Sequence, residues 1–396
     1  MTTVTQAPAA EGHIDPAAAF VPVQTRSERP RSFDPADFEA PTGREVNWKH
    51  TPVARLQAVL TDEDTESGPD NAIDYDLSRV PDGVLVPSAG LDAAVRGEVF
   101  TPEDLASALA WKNGVNALHL RLPQGAEFDE ALRVDLTGRG GHAQAHVIIE
   151  AMPQSRGTVL LYHSGTADYA QNVEILARDG SQLTVITAQR WDDDAVHVSA
   201  HQARVDRDAS LTHVVVSLGG GVVRVNPSVE LAGAGAHGKL YGLSFADSGQ
   251  HLESQVFLHH KGPHTTGDVL YKGALQGADA RSVWIGDVLI GPDAVATDSY
   301  EANRNLVLTQ GARADSIPNL EIQTGDILGA GHASATGRFD DEQLFYLQSR
   351  GIAEDEARRL VVLGFLGEIV QKTGIPELEA ELIAAVEAEL AEGPAA

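Results

Sequence analysis

The residues of this chain best suited to chemistry are its histidines. There are fifteen, enough to ask whether any of them share a metal ion, since imidazole suits iron, zinc and copper. His259 and His260 with His264 form the densest group. Adjacent strand residues point to opposite faces, so at most one of the first two shares a face with a given partner. The group therefore reads as ordinary core and loop histidines. His332 stands apart because of its surroundings: Gly331, Ala333, Ser334 and Ala335 leave it on a small, uncrowded turn from which an imidazole can reach a partner. At this level a plain structural role is still the favoured reading. Paired acids occur at Asp192–Asp194 and at Asp340–Asp341. The first reads as a solvated turn and the second as a helix N-terminus, where carboxylates favour the dipole.

Common catalytic signatures are missing. The chain has no Gly-x-x-x-x-Gly-Lys-Ser/Thr, no His-Glu-x-x-His and no Gly-x-Ser-x-Gly, the marks of phosphate loops, zinc proteases and serine hydrolases. Gly219–Gly221 lies between two strand-like runs with no helix after it, so it fails the dinucleotide context and reads as a tight bend. There is no cysteine. That excludes a disulfide framework, a thiol nucleophile and a self-contained four-cysteine iron–sulfur site, and it fits a reducing cytosol. A formal net charge of −28 opposes binding to nucleic acid or to an anionic membrane. No basic flank precedes an apolar run near the start, and no run of about eighteen apolar residues occurs. The expectation is a cytoplasmic protein.

The elements that must carry these residues fall into blocks. Residues 1–43 are rich in Ala, Pro, Thr and Glu without periodicity, which reads as a disordered lead. Residues 44–113 form a mixed, partly helical region. In it Trp48 is the first large apolar anchor, and Pro102–Trp111 reads as a helix capped by Thr101. From 114 to 335 short β-rich runs of three to five residues recur, separated by Gly, Asn, Asp and Pro. More than two hundred residues pass with hardly a helical pattern. Gly at the bends favours a parallel β-helix, while the irregular period leaves a sandwich open.

Residues 336–396 switch to helix. Asp340 with Gln343 reads as a variant capping box. Gly351 suits the left-handed position of a Schellman stop, with Ile352 folding back on Leu347. A second helix is expected over 354–372 with Leu360, Leu363 and Ile369 on one face, ended by Gly374. Pro376 then opens a third, carrying Leu378, Leu382, Val386 and Leu390 in a row.

These segments carry a family likeness. Asn319-Leu-Glu-Ile, Gly331-His332 and Thr336-Gly-Arg-Phe through Gly351-Ile352 resemble the C-terminal signature of the SufB/SufD family of iron–sulfur cluster assembly proteins. Arg44-Glu-Val-Asn-Trp-Lys-His-Thr is similar to the family's N-terminal Trp-basic-x-Thr element. His260–Gly273 and Ala296–Leu308 are similar to its late β-helix segment. The likeness spans roughly residues 44–375 and is closest to the SufD branch. It implies a mainly β fold: a right-handed parallel β-helix flanked by a helical N-terminal region and a C-terminal α-helical domain. It also implies a scaffold rather than an enzyme. Such a chain pairs with SufB through the β-helix and binds the ATPase SufC through its C-terminal helices, whose movement opens the interface where a cluster forms.

His332 matches the family's interface histidine, six residues before Arg338. The likeness implies an iron or cluster ligand facing a SufB cysteine. Some relatives carry a cysteine two residues before that histidine, where this chain has Ala330. The chain therefore offers imidazole but no thiolate. No cofactor is expected on the chain alone, only iron or a transient iron–sulfur cluster shared with SufB. Phe345, Leu363, Phe365 and Leu366 are the apolar residues expected to meet SufC, by helix-in-groove docking. A homodimer in isolation and a flavin contact are left open. Two rivals remain: a self-pairing SufB-like scaffold, disfavoured by the lack of thiolates, and a β-helix enzyme acting on polysaccharide, which would call for an export signal.

Overall fold

The computed structural model describes residues 29–62, 72–338 and 341–392. Strands dominate it. After β1 (Ile73–Arg79), β2 (Ser88–Ala89), the helix α1 (Leu105–Asn113) and β3 (Ala117–Leu122) come two long strands, β4 (Leu132–Ala151) and β5 (Arg156–Ala177). Then follow β6 (Gln182–Trp191), β7 (Val196–Val205), β8 (Ser210–Ser217), β9 (Val222–Leu231), β10 (His237–Ala246) and β11 (His251–His260). The series continues through β12 (Thr266–Leu275), β13 (Arg281–Ile290), β14 (Thr297–Val307), β15 (Arg313–Ile322) and β16 (Ile327–Arg338). Three helices end the chain: α2 (Asp341–Gln348), α3 (Glu354–Val370) and α4 (Pro376–Glu392).

From β5 onward every second strand pairs, in parallel, so the odd strands run β5-β7-β9-β11-β13-β15 and the even ones β6-β8-β10-β12-β14-β16. The result is a β-solenoid of about eight turns, the parallel β-helix expected, with the sandwich excluded. One coil separates His237 from Thr266 and the next separates Thr266 from Asp298, steps of 29 and 32 residues. That variation is why no clean repeat shows in the sequence. Corners are tight; Gly180, Gly235 and Gly249 take positive φ, and so do Asp208, His264 and Asp279.

Most strands are about ten residues long rather than three to five. The reason lies in the interior. Alternate residues face inward, and many of them are polar, so the apolar run visible in sequence is only part of each strand. The inward row of β7 reads His197, Ser199, His201, Ala203 and Val205, and no strand is legible there from hydrophobicity. β15 is masked by its charges and by Pro318, which is tolerated on an edge strand.

Aliphatic residues such as Leu136, Ile149, Val185, Leu240 and Leu258 fill the rest of the solenoid interior. Two flanks close its sides. Over the odd strands lie Trp48, Leu56, Val59 and α1, packed on Ala170, Val196, Val198 and Val222. The chain is in place from Arg29, whose guanidinium donates to Gln255 at 3.0 Å. Helix α1 starts three residues later than expected: its cap is Asp104, in a reciprocal box with Ser107, rather than Thr101. Arg224 is buried there, donating to the Asn47 carbonyl at 2.9 Å and to Glu253 at 3.2 Å, with its guanidinium 4.0 Å from the centre of the Trp48 ring. Burial pushes the Glu253 carboxyl up, but the His251 hydrogen bond and the Arg224 charge outweigh it and hold it down to about 2.

Over the even strands lie α3 and α4. Val362, Leu366, Ile369, Leu378, Leu382 and Val386 pack against Ile186, Val214, Val216, Tyr241, Leu243 and Phe245. The row on α4 is the one expected from its spacing. On α3, however, Leu360 is 44% exposed; the face that packs is turned toward Val362 and Leu366. Gly351 and Gly374 both take positive φ, and the Ile352 amide donates to the Leu347 carbonyl, as a Schellman stop requires. Asp340, the expected cap of α2, lies outside the described residues.

Candidate functional site

The two ends of the solenoid differ. At the first coil, β1 pairs antiparallel with one half of β4 and β3 pairs in parallel with the other. At the last coil, among the described residues, β15 pairs only with β13, and β16 only with β14. Each leaves a row of backbone donors and acceptors unpaired, a ready template for another strand. Leu328 (76% exposed), Tyr300 and Ile322 stand exposed at this rim.

His332 lies on this rim. It belongs to β16 rather than to a turn, because β14 holds that backbone in register from Asp298–Gly329 to Val307–Arg338. Its small neighbours are strand residues. In a parallel ladder paired residues point to the same side, so the inward row of β14 (Thr297, Ser299, Glu301, Asn303, Asn305) sets the inward row of β16 (Ala330, His332, Ser334, Thr336). Ser334 donates to Ser316 at 2.8 Å, tying β16 to β15 across the mouth.

Most of the β14 row is hydrogen-bonded. Ser299 meets His260 at 3.0 Å, Asn305 donates to Asn303 at 2.7 Å, and Asn303 donates to the Tyr271 carbonyl at 3.2 Å. Glu301 is the exception: it is 1% exposed and neither carboxylate oxygen has a hydrogen-bond partner. Burial, with the like charge of Asp287, pushes its carboxyl up to about 8. The nearest cationic candidate is His332 itself, paired with it in the ladder, its Nδ1 3.8 Å from Oε1. The Glu301 side chain lies over Gly286 of β13, where an added Cβ would run into both the Trp284 ring and Oε2 of Glu301. Sequence reading passed over Glu301. The signal available was an acid in an alternating strand at an inward position, and its partner lies 31 residues on.

Eight of the other described histidines are buried, His260 among them. His260 is fully buried and bonded to Thr265 and Ser299, while His264 sits at a corner with left-handed backbone. His163 meets Gln171, Trp191 donates to His197, and His201 bridges Ser199 and His213 at 2.9 Å each. Burial pushes the imidazoles of His163 and His213 down to about 4. Among the described residues no group of three or more His, Asp or Glu is placed to hold a metal ion. Asp192–Asp194 and Gly219–Gly221 form bends, as read from the sequence.

Of the four residues expected to meet a partner on the helices, Phe345 alone is open to solvent, 71% exposed. Leu363 and Phe365 are partly buried against the sheet, and Leu366 is buried in the packing of α3 on the solenoid. It cannot serve a partner without unpacking the helix. Tyr346, next to Phe345 on α2, and Leu360 on α3 are exposed too, and sequence reading did not single them out for contact.

A family model described as SUF system FeS cluster assembly, SufBD core domain, matches residues 134–365. The chain belongs to the SufBD family. It is 46% identical over 367 residues to an iron–sulfur cluster assembly SufBD family protein of Mycobacterium tuberculosis (strain H37Rv), covering 91% of each chain. A relative of the same description from Mycobacterium leprae is 44% identical over 367 residues, covering 91% of this chain and 93% of its own. A second SufBD family protein of Mycobacterium leprae is 28% identical over 200 residues, half of this chain and 23% of that relative. No helix among the described residues is long and apolar enough to cross a membrane.

Proposed function

We propose that this SufBD family member is the SufD-type scaffold subunit of a cytoplasmic iron–sulfur cluster assembly complex, and not itself an enzyme. It pairs through the rim of β15 and β16 with a SufB-type chain, and its C-terminal helices receive a SufC-type ATPase. The observation that carries this reading is the open rim. Two unpaired strand edges, with Leu328 exposed beside them, favour β-sheet continuation by a second solenoid. Two family members in one organism, one much more similar to this chain than the other, support a pair of unlike chains. The lack of cysteine leaves thiolate ligands to the partner and gives this chain an assisting part, with His332 at the shared face and iron or a nascent cluster as cargo. The exposed side of α2, with Phe345 and Tyr346, is the apolar surface offered to the ATPase.

Co-expression of the chain with SufB-type and SufC-type proteins tests this directly. A stable three-protein complex is expected, and Leu328→Lys should weaken the SufB-type pairing while leaving the chain folded. A chain that purifies alone under those conditions and cleaves a glycan instead would make the polysaccharide-acting rival correct. His332→Ala should lower cluster yield on the complex without dissolving it; unchanged yield returns that histidine to a structural role.

A further inference from the structure

Glu301 is built into the last coil in a way that packing alone does not require. It is almost fully buried, yet both carboxylate oxygens lack hydrogen bonds. A buried carboxyl without a hydrogen bond from the protein is unfavourable, and such a group in a protein interior calls for a physical account. Asp287, the like-charged neighbour, is engaged by Asn319 at 2.9 Å, so it does not relieve Glu301. Glycine at 286 leaves the carboxylate its room, and the ladder register puts His332 on the same face at the rim.

We propose that Glu301 and His332 together form a two-ligand half-site for a divalent first-row cation such as Fe(II), completed by donors from outside this chain. The inference rests on the reading of the rim as the face where a cluster assembles, and it adds a second ligand that the cysteine-free sequence does not advertise. Carboxylate oxygen with imidazole nitrogen is a donor set suited to Fe(II). Two donors bound to one ion at ordinary lengths lie about 3.0–3.4 Å apart for bond angles between right and tetrahedral. The observed 3.8 Å from Nδ1 to Oε1 therefore needs only a small rotamer adjustment. Binding would place a positive charge against a carboxylate that has no other cation beside it, which is the strongest stabilisation available to it in a low-dielectric site. The remaining coordination positions would be left to donors from outside this chain.

The test is a titration of Co(II) into the anaerobic full-length chain, followed by the visible d–d bands, and repeated with Fe(II). Wild type, Glu301→Gln, His332→Ala and Gly286→Ala are compared, with thermal midpoints as the check on folding. One saturable site is expected in the wild type. Glu301→Gln and His332→Ala should each weaken it by at least about tenfold, and Gly286→Ala, whose added Cβ would meet both the Trp284 ring and the carboxylate, should weaken it as well, with its thermal midpoint reporting the packing cost. Glu301→Gln binding within threefold of wild type overturns the inference, and so does a wild-type chain with no saturable site. Pairing with the SufB-type chain is read separately for wild type and Glu301→Gln and should be the same for both. Failure of the wild type to pair would remove the functional reading while leaving the titration result standing.

Discussion

The first coils and the last coil of this solenoid both place ionisable side chains in the interior, and they treat them in opposite ways. Around β5 to β8, His163, His197, His201 and His213 each make at least one hydrogen bond within a closed core. That end is covered by β1 and β3. At β14 to β16 the edge is open, Glu301 makes no hydrogen bond, and His332 is half exposed. His197 and His213 each keep one ring nitrogen unbonded, whereas Glu301 beside the open edge has neither oxygen bonded. Counting histidines alone points to the closed end.

The largest expected effect would break the closed end by acid. The buried imidazoles have pKa values below those of the unfolded chain, so between about 4 and 6.5 the unfolded state binds more protons. Stability is full above pH 6.5 and is lost as pH falls toward 4, by on the order of a few kcal/mol in total after allowance for relaxation. Glu253 acts in the same direction lower down: its contribution is present above about 4.5 and disappears as pH falls through about 2. Urea midpoints at pH 7, 5.5 and 4.5 should fall in that order, and a flat series would show that the histidine row is not dry.

Next in size is a contrast on the helical flank. Leu366→Ala should cost about 2–5 kcal/mol, because it empties a packed site between α3 and the sheet. Phe345→Ala should stay within about 0.5 kcal/mol, because that ring is exposed. Equal losses in denaturant melts would contradict the division between core and offered surface.

The smallest effects compare the two interior rows directly. His201→Leu should destabilise by about 1–3 kcal/mol by leaving His213 and Ser199 with fewer partners. Glu301→Met should do the reverse and stabilise by about 1 kcal/mol, since an apolar side chain of similar length replaces an unpartnered carboxyl. Melting curves of the two variants with the same sign of change would erase the contrast between the ends.

Local chemistry was legible in the sequence. Gly351 and Gly374 as helix stops, Pro376 as a start, the apolar row of α4 and the tight bend at Gly219–Gly221 follow from interactions a few residues apart, and the structure carries all of them. Thr101 was a near miss because Asp104, three residues on, makes the better reciprocal box. Strand lengths were underestimated because inward-facing histidine, serine and glutamine interrupt the apolar signal.

What the sequence by itself determined is therefore the mainly β body with its helical end and helix stops, the absence of thiolate ligands and the likeness to a family. Only the tertiary structure decided that Leu366 is core, that His332 lies on an edge strand, and that Glu301 sits beside it. Coils of unequal length bring together residues about thirty positions apart, and their register depends on every corner between them. That information is not held in any short window of the chain.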